Sequence, residues 1–263
     1  STGTVTGTTS DGIFTRAHTL TDATVTVSNS SVTGATNGID TYHVVAGTNA
    51  INVSGTVIGG TGDGIRTRTA VGGSSLVTLN SGANISAASG TAISNNAGNS
   101  TVSVNGGAIV TGAISLGDGA DNLIFDGGSF ATVTTLDGGS DTDTLTFRNV
   151  SGAVTGNSVT SWENVAVASG ADISISGTLN TGTLTVSNGG TLGGSGTING
   201  DLTVNDGTLG PGNSPGRLSI VGNLDLGITS TTLIELGGTI AGTQYDQIDV
   251  ADDPATSPTV EGI

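Results

Sequence analysis

The sequence predicts an all-β fold, a right-handed parallel β-helix (β-solenoid) of about eleven coils. Short segments in which Val, Ile and Leu alternate with Thr, Ser and Asn are separated by Gly, Asn and Asp corners. This pattern is typical of short strands joined by tight turns. The segments also recur at a regular spacing, and each is too short to bury its apolar face unless the next coil stacks on it.

The composition favours strands and excludes several classes of function. The 263 residues include 46 glycines, 34% are apolar and 3% are aromatic, and no stretch has the periodicity of an amphipathic helix. Because cysteine is absent, disulfides and thiolate sites are excluded. Five arginines against 21 acidic residues argue against a nucleic-acid partner, since phosphate binding needs clustered positive charge.

The sequence predicts no membrane helix and has the features of a mature segment of a longer protein. No apolar run approaches the ~18 residues that a transmembrane helix needs. Neither an initiator methionine nor a signal peptide is present, and we therefore expect a mature segment of a longer protein. No motif indicates a cofactor.

A repeat of about 26 residues organises residues 1–115. Gly-Ile pairs begin at Gly12, Gly38 and Gly64, each 26 residues after the one before. A second alternating strand keeps nearly the same spacing, and it begins at Val25, Ile51, Val77 and Val102. Two features that share one period predict one coil of a parallel β-helix per repeat.

Shorter coils follow, acidic over residues 116–183 and glycine-rich over residues 184–250. Successive strand positions lie 22, 20, 19, 18, 16 and 15 residues apart, at Leu123, Leu145, Val165, Leu184, Leu202, Leu218 and Leu233. We expect Trp162 to fill a coil corner. The last strand is predicted near Val250, and residues 251–263 are expected to be a frayed tail of this single β-helix.

One stretch, residues 189–221, carries a specific resemblance. It contains the glycines Gly194 and Gly196 and a turn bracketed by prolines, with the sequence Pro211-Gly212-Asn213-Ser214-Pro215-Gly216. These motifs resemble the passenger-associated repeat of Gram-negative autotransporters, the type V secretion family. The resemblance extends over residues 184–250.

The resemblance implies how the chain is exported. An autotransporter passenger crosses the outer membrane through the C-terminal β-barrel of the same precursor, a barrel absent from this chain, and is then secreted or displayed on the cell surface. The repeat is thought to fold first, so we expect bulky side chains at Gly194 or Gly212 to impair folding or export. An unrelated β-solenoid with similar corners is the alternative.

The sequence offers little support for catalysis or metal binding. Some autotransporter passengers are serine proteases, but Ser214 belongs to the structural turn and precedes Pro215, which has no N–H for an oxyanion hole. Two acidic runs resemble a calcium-binding nonapeptide that lacks one glycine, and they contain Asp118, Asp121, Asp141 and Asp143. Calcium sites of that type need stacked nonapeptides, whereas these copies lie 22 residues apart. Turn corners are therefore the favoured interpretation.

The 26-residue repeat predicts one exposed cluster. If Ile13, Ile39 and Ile65 point inward, the outward positions of the three strands stack in two columns. The outward residues are Phe14, Arg16, Asp40, Tyr42, Arg66 and Arg68. Arginine and aromatic residues are enriched in binding interfaces, although such a face can also serve local stability alone.

Three functions remain compatible with these features. The first is a non-enzymatic adhesin or host-receptor ligand, a virulence factor that binds a host cell-surface protein or glycan through the exposed face. The second is a structural stalk, and the third is a polysaccharide-active β-helix enzyme, which the few aromatic residues disfavour. Self-association through the edge of the first coil is also possible in principle.

Overall fold

Parallel strands dominate the structure, a computed structural model that describes residues 3–18, 22–212, 214–251 and 260–261. The predicted fold class is confirmed, since 62% of the chain is strand and the strands form a β-solenoid of about ten turns. The chain forms two compact units, residues 1–143 and residues 144–263, each with most of its contacts inside itself. Within the described part, no helix is long and apolar enough to cross a membrane.

The described residues of the first unit form thirteen strands, which stack in parallel, coil on coil. They are Thr4–Gly7 (β1), Ile13–Ala17 (β2), Ala23–Gly34 (β3), Ile39–His43 (β4), Thr48–Gly59 (β5), Ile65–Arg68 (β6), Ser74–Leu79 (β7), Asn84–Ala87 (β8), Ile93–Asn95 (β9), Asn99–Asn105 (β10), Ile109–Ser115 (β11), Asn122–Asp126 (β12) and Val133–Asp137 (β13). Pairing β2–β4–β6–β9 builds one face of the coils, and β3–β5–β7–β10–β12 builds a second. A third face begins with β1, which pairs with the C-terminal part of β3. That part of β3 pairs with β5, β5 with β8, and β8 with β11.

The core of this unit consists of columns of apolar side chains at equivalent positions of successive coils. One column is formed by Ile39, Ile65 and Ile93, and another by Val25, Ile51, Val77, Val102 and Leu123. All of these side chains are buried. The 26-residue repeat therefore predicted both the register and the inward face correctly.

The second unit repeats the architecture with shorter coils and one 3₁₀ turn, Gly156–Ser158. Its strands are Thr144–Arg148 (β14), Ser151–Thr155 (β15), Val159–Thr160 (β16), Asn164–Ala168 (β17), Asp172–Ser176 (β18), Thr178–Ser187 (β19), Thr191–Gly194 (β20), Thr197–Asn205 (β21), Thr208–Pro211 (β22), Arg217–Val221 (β23), Leu224–Leu226 (β24), Thr231–Thr232 (β25), Gln247–Ala251 (β26) and Val260–Glu261 (β27). The pairing β14–β17–β19–β21–β24 stacks Leu145, Val165, Leu184, Leu202 and Leu224 into a buried column. Trp162 is fully buried in this unit.

The predicted shortening of the coils is wrong beyond Leu202. The residue that stacks on Leu202 is Leu224, not Leu218, and Leu218 stacks instead with Ile248 in a different column. Leu233 is not an inward position, because 57% of it is exposed. A short strand at residues 231–232 is followed by a surface segment, so the coil predicted at Leu233 is replaced by an insertion.

The C-terminal prediction is right for one strand and wrong for part of the tail. Strand β26 matches the strand predicted to end near Val250. However, Val260 and Glu261 lie in β27 and pair with Leu224 and Asp225, so a coil follows β26. The other residues of the predicted frayed tail, 252–259 and 262–263, lie outside the described part of the chain.

The proline-bracketed turn anchors the inserted segment, residues 233–246. Asp246 is buried, and its two carboxylate oxygens accept hydrogen bonds from the backbone N–H groups of Gly216 (2.7 Å) and Glu235 (2.9 Å). The Ser214 hydroxyl donates to the Glu235 carboxylate at 3.1 Å. Asn213 itself lies outside the described residues. The turn thus connects β22 to β23 and also holds the segment that precedes β26.

Two glycines of this region occupy positions where a side chain would collide with backbone. Gly194 and Gly212 both have positive φ, +106° and +88°. A Cβ at Gly194 would lie 2.1 Å from the Ile175 carbonyl oxygen, and one at Gly212 would lie 2.3 Å from the Gly216 nitrogen. Gly210, by contrast, has open space where its Cβ would be.

We therefore expect Gly194→Ala and Gly212→Ala each to lower the free energy of unfolding by about 1–3 kcal/mol, through backbone strain and displacement of the backbone atoms that each Cβ would meet. Gly210→Ala is the matched control and should change it by no more than about 0.5 kcal/mol. Urea unfolding followed by far-UV circular dichroism measures all three. Equal stabilities would show that this turn region does not limit the stability of the unit.

Candidate binding face

The predicted outward columns are present on the face built by β2, β4 and β6. Phe14 pairs in register with Asp40 and then Arg66. Arg16, Tyr42 and Arg68 form the neighbouring column, which we call the arginine–tyrosine column. The alternate residues of β4 and β6, which point to the other face of these strands, are buried: Ile39, Thr41, Ile65 and Thr67. The register that brings these six side chains together is therefore as predicted.

The arginine–tyrosine column is a continuous stack. The Arg16 guanidinium carbon lies 5.4 Å from the centre of the Tyr42 ring, and the Arg68 carbon lies 4.7 Å from it. Contacts at these distances are cation–π interactions, each contributing about 0.5–1 kcal/mol at exposed sites. Tyr42 is thus held between two cations one coil above and one coil below it.

Asp40 differs from the prediction, because it is buried. It points outward from β4, yet only 3% of it is exposed. Arg68 reaches over it from the next coil, with Nη2 donating to Oδ2 at 2.6 Å and Nε donating to Oδ1 at 3.1 Å. Burial raises the pKa of the Asp40 carboxyl above its ordinary value, although the two hydrogen bonds and the charge of Arg68 oppose the shift. Two of the six residues of the predicted exposed cluster therefore form an internal ion pair.

Three members of the cluster, Phe14, Arg16 and Arg66, remain accessible to a partner. Phe14 is 53% exposed, Arg16 is exposed and Arg66 is half-buried. Within the part of the chain that is described, neither Arg16 nor Arg66 forms an ion pair or a hydrogen bond. Two guanidinium groups and one aromatic ring thus remain available on this face.

Arg66 also lines a groove of about 490 Å³, which the sequence analysis did not predict. Residues of three successive coils line it, among them Asn37, Asp63, Arg66, Ser94 and Asn96. Its wall is a chain of corner contacts in which a side-chain oxygen accepts the backbone N–H of the next coil. Asn37 Oδ1 accepts from Asp63 at 2.7 Å, and Asp63 Oδ1 accepts from Thr91 at 2.9 Å.

A sequence signal for this groove exists. Each Gly-Ile pair of the repeat is preceded by Asp or Asn, at positions 11, 37 and 63. Such residues favour corners because their side chains hydrogen-bond nearby backbone groups. Their recurrence before glycine at a 26-residue spacing predicts one stacked corner, and hence a polar wall beside the arginines.

The four calcium candidates separate into two exposed and two buried carboxylates. Asp118 and Asp141 are exposed, whereas Asp121 and Asp143 are buried. Asp121 Oδ1 accepts the backbone N–H of Ser100, and Asp143 Oδ1 accepts that of Asp121 at 2.7 Å. Among the described residues, no group of three or more His, Cys, Asp or Glu side chains is placed to hold a metal ion. The two buried carboxylates instead accept hydrogen bonds from backbone N–H groups at the corners of the coils.

The environment of Asp121 favours its protonated form. Burial raises the pKa of the Asp121 carboxyl to about 8, from an ordinary value of 3.8, although the hydrogen bond from Ser100 opposes the shift. The charges of the nearby carboxylates of Asp143, Asp141 and Asp118 contribute to the same rise, of which burial is the largest cause.

The histidines show no catalytic arrangement in the described structure. His43 is fully buried, and neither ring nitrogen has a hydrogen-bond partner among the described residues. Ser214 donates to Glu235 in the structural turn.

No known protein family, no curated protein and no solved structure matches this chain. Function must therefore be inferred from its own residues and their geometry.

The Arg68–Asp40 pair generates a prediction about stability. Arg68→Gln should lower the free energy of unfolding by about 2 kcal/mol, because it leaves a buried carboxylate without its partner. Arg16→Gln removes only an exposed stacking contact and should cost about 0.5 kcal/mol. Urea denaturation compares the two variants. Equal losses would contradict the structural role of Arg68, and partial recovery in the Asp40→Asn, Arg68→Gln double variant would support it.

Asp121 generates a prediction about pH. Between about pH 4 and pH 8 the unfolded chain ionises this group while the folded chain retains the proton, so stability should rise as the pH falls through this window. The shift at Asp40 has the same sign. Asp121→Asn should flatten the dependence between about pH 7 and pH 5.

The matched control for Asp121→Asn is Asp22→Asn, because Asp22 accepts the N–H of Thr48 at an exposed corner of the same unit. This variant should retain the wild-type pH dependence. Urea midpoints of the three proteins at both pH values decide the outcome. Parallel curves for wild type and Asp121→Asn would overturn the assignment of a retained proton to Asp121.

Proposed function

We propose that the chain is the passenger of a Gram-negative autotransporter and acts as a non-enzymatic adhesin or host-receptor ligand. The observation that carries the proposal is the face formed by β2, β4 and β6, where Phe14, Arg16 and Arg66 are accessible and a groove adjoins them. Aromatic and arginine side chains dominate the energetics of protein interfaces. A stacked sheet presents them on a rigid surface, which lowers the entropy lost on binding.

The family part of the proposal rests on the resemblance of residues 184–250. Glycines at positions 194 and 212 meet backbone atoms so closely that a side chain would collide, and the proline-bracketed turn holds a separate segment through Asp246. Both features give the repeat residues structural roles that explain their identity. Export across the outer membrane and display as a virulence factor follow from this family assignment, as parts of the same proposal.

A structural stalk is the second candidate, and one observation favours it. Arg68, Tyr42 and Asp40 satisfy one another, so half of the cluster can be explained by local stability alone. An enzyme is disfavoured, because the Asp63 carboxylate in the groove is held by Thr91 and Ser94. A carboxylate fixed in this way is poorly placed for general acid–base work.

Binding to cultured host cells tests the adhesin proposal. We expect the purified chain to bind saturably, and Arg16→Gln with Arg66→Gln to weaken binding about tenfold or more, the usual scale for loss of interfacial arginines. Arg68 is left intact because its removal would expose the buried Asp40. The double variant should lose only about 0.5 kcal/mol of stability, the stacking contact of Arg16, so urea unfolding separates an effect on binding from an effect on stability.

Arg217→Gln is the control, since Arg217 is an exposed arginine of the other unit that contacts Asp249. It should bind cells as wild type does. Absence of saturable binding by the wild-type chain would contradict the adhesin proposal and favour the stalk. Equal loss in the control and in the double variant would mean that binding depends on general charge and not on this face.

A further inference from the structure

The groove that Arg66 lines has free hydrogen-bond donors. Arg66 carries five N–H groups and no acceptor, and it makes no ion pair or hydrogen bond within the described residues. The exposed Asn96 side chain uses its oxygen to accept the N–H of Thr69 at 3.3 Å. The structure shows no partner for its NH₂ group among the described residues.

Two acceptors of the same groove, the side chains of Asp63 and Asn37, are already engaged. Asp63 accepts from the Thr91 N–H with one oxygen and from the Ser94 hydroxyl (2.6 Å) with the other. Asn37 Oδ1 accepts the Asp63 N–H. A ligand that enters therefore meets the unengaged donors of Arg66 and Asn96, and such donors favour a ligand that carries acceptors.

The local charge limits how many negative groups such a ligand can carry. Arg16, Arg66 and Arg68 are the three arginines of residues 1–117, and four aspartates accompany them. The remaining residues carry seventeen acidic side chains against two arginines. One oxyanion beside Arg66 would form a charge-assisted, bidentate pair, and the chain has few other cations to pair with additional negative groups.

We propose that this groove binds the oxyanion of a glycan, a carboxylate or a sulfate, with Arg66 as its partner. The proposal rests on the adhesin function proposed above and names its ligand class. Phe14 lies two rungs from Arg66 in the same column, about 10 Å away, a distance that a disaccharide spans. Its exposed ring can pack against the apolar face of a sugar, while Asn96 donates to hydroxyl or carbonyl oxygens.

Isothermal titration calorimetry with defined probes tests this inference. Sialyllactose supplies a carboxylate, sulfated lactose supplies a sulfate, lactose is the neutral control, and an acidic peptide represents a protein partner. We expect one or both anionic sugars to bind at least about tenfold more tightly than lactose, the scale of one charge-assisted contact. The stronger of the two identifies the source of the oxyanion.

Variants establish where the sugar binds. Arg66→Gln should weaken binding of the anionic sugar about tenfold and leave the weak binding of lactose unchanged. Arg217→Gln is the matched control and should bind as wild type. Equal affinity for lactose and the anionic sugars, unchanged binding in Arg66→Gln, or binding of the acidic peptide alone would each overturn the inference.

The two proposals fail in different ways. If the chain binds cells, and continues to bind them after enzymatic removal of sialic acid and sulfate, the glycan inference fails and the adhesin proposal stands. If the anionic sugars bind at Arg66 but intact cells do not bind, the adhesin proposal fails and the glycan site stands. Loss of cell binding after that enzymatic treatment supports both.

Discussion

The stacking of each strand on the equivalent strand of the preceding coil is the interaction on which the rest of the structure depends. A segment such as Val25–Val27 has only two apolar side chains on its inward face, and alone it would leave them exposed. In register with Ile51 and Val77 it becomes part of a buried column. Because strand side chains alternate between faces, a slip of one residue would bury Arg16 and expose Ile13. The apolar columns therefore fix the position of every outward side chain.

The same register determines which polar side chains are neighbours, both on the surface and at the buried corners of the coils. On the surface it places Tyr42 between Arg16 and Arg68. At the corners it lets a carboxylate of one coil accept a backbone N–H of an adjacent coil, as Asp121 does with Ser100. Such a contact satisfies a backbone donor that would otherwise be buried without a partner. It also removes the carboxylate from water, and this desolvation explains why its pKa rises even though it accepts a hydrogen bond.

Periodicity predicted the fold and the pairing of the first coils because two independent features, the Gly-Ile pairs and the Val25 column, share one spacing. It could not predict that Asp40 is buried, since that depends on a side chain from the next coil folding over it. It also failed beyond Leu202, where Leu218 and Leu224 both follow an alternating pattern. Only the three-dimensional pairing shows that Leu224 continues the column. A segment that alternates apolar and polar residues predicts a strand whether it stacks in a coil or lies on the surface. For that reason the spacing predicted an inward position at Leu233, which is exposed.

Net charge alone would suggest that this chain repels anions, yet charge acts over short distances at physiological salt, where screening sets a length of about 8 Å. What a ligand meets at Arg66 is therefore set by the few groups around it. Asp63 lines the same groove, but each of its carboxylate oxygens already accepts a hydrogen bond. The guanidinium of Arg66 donates no hydrogen bond to any of the described residues. An arriving oxyanion gains the pairing without displacing an internal partner. Arg68 offers no such gain, because binding there would require breaking its bonds to a buried carboxylate. Selectivity on this face thus follows from which arginine the fold leaves unpaired.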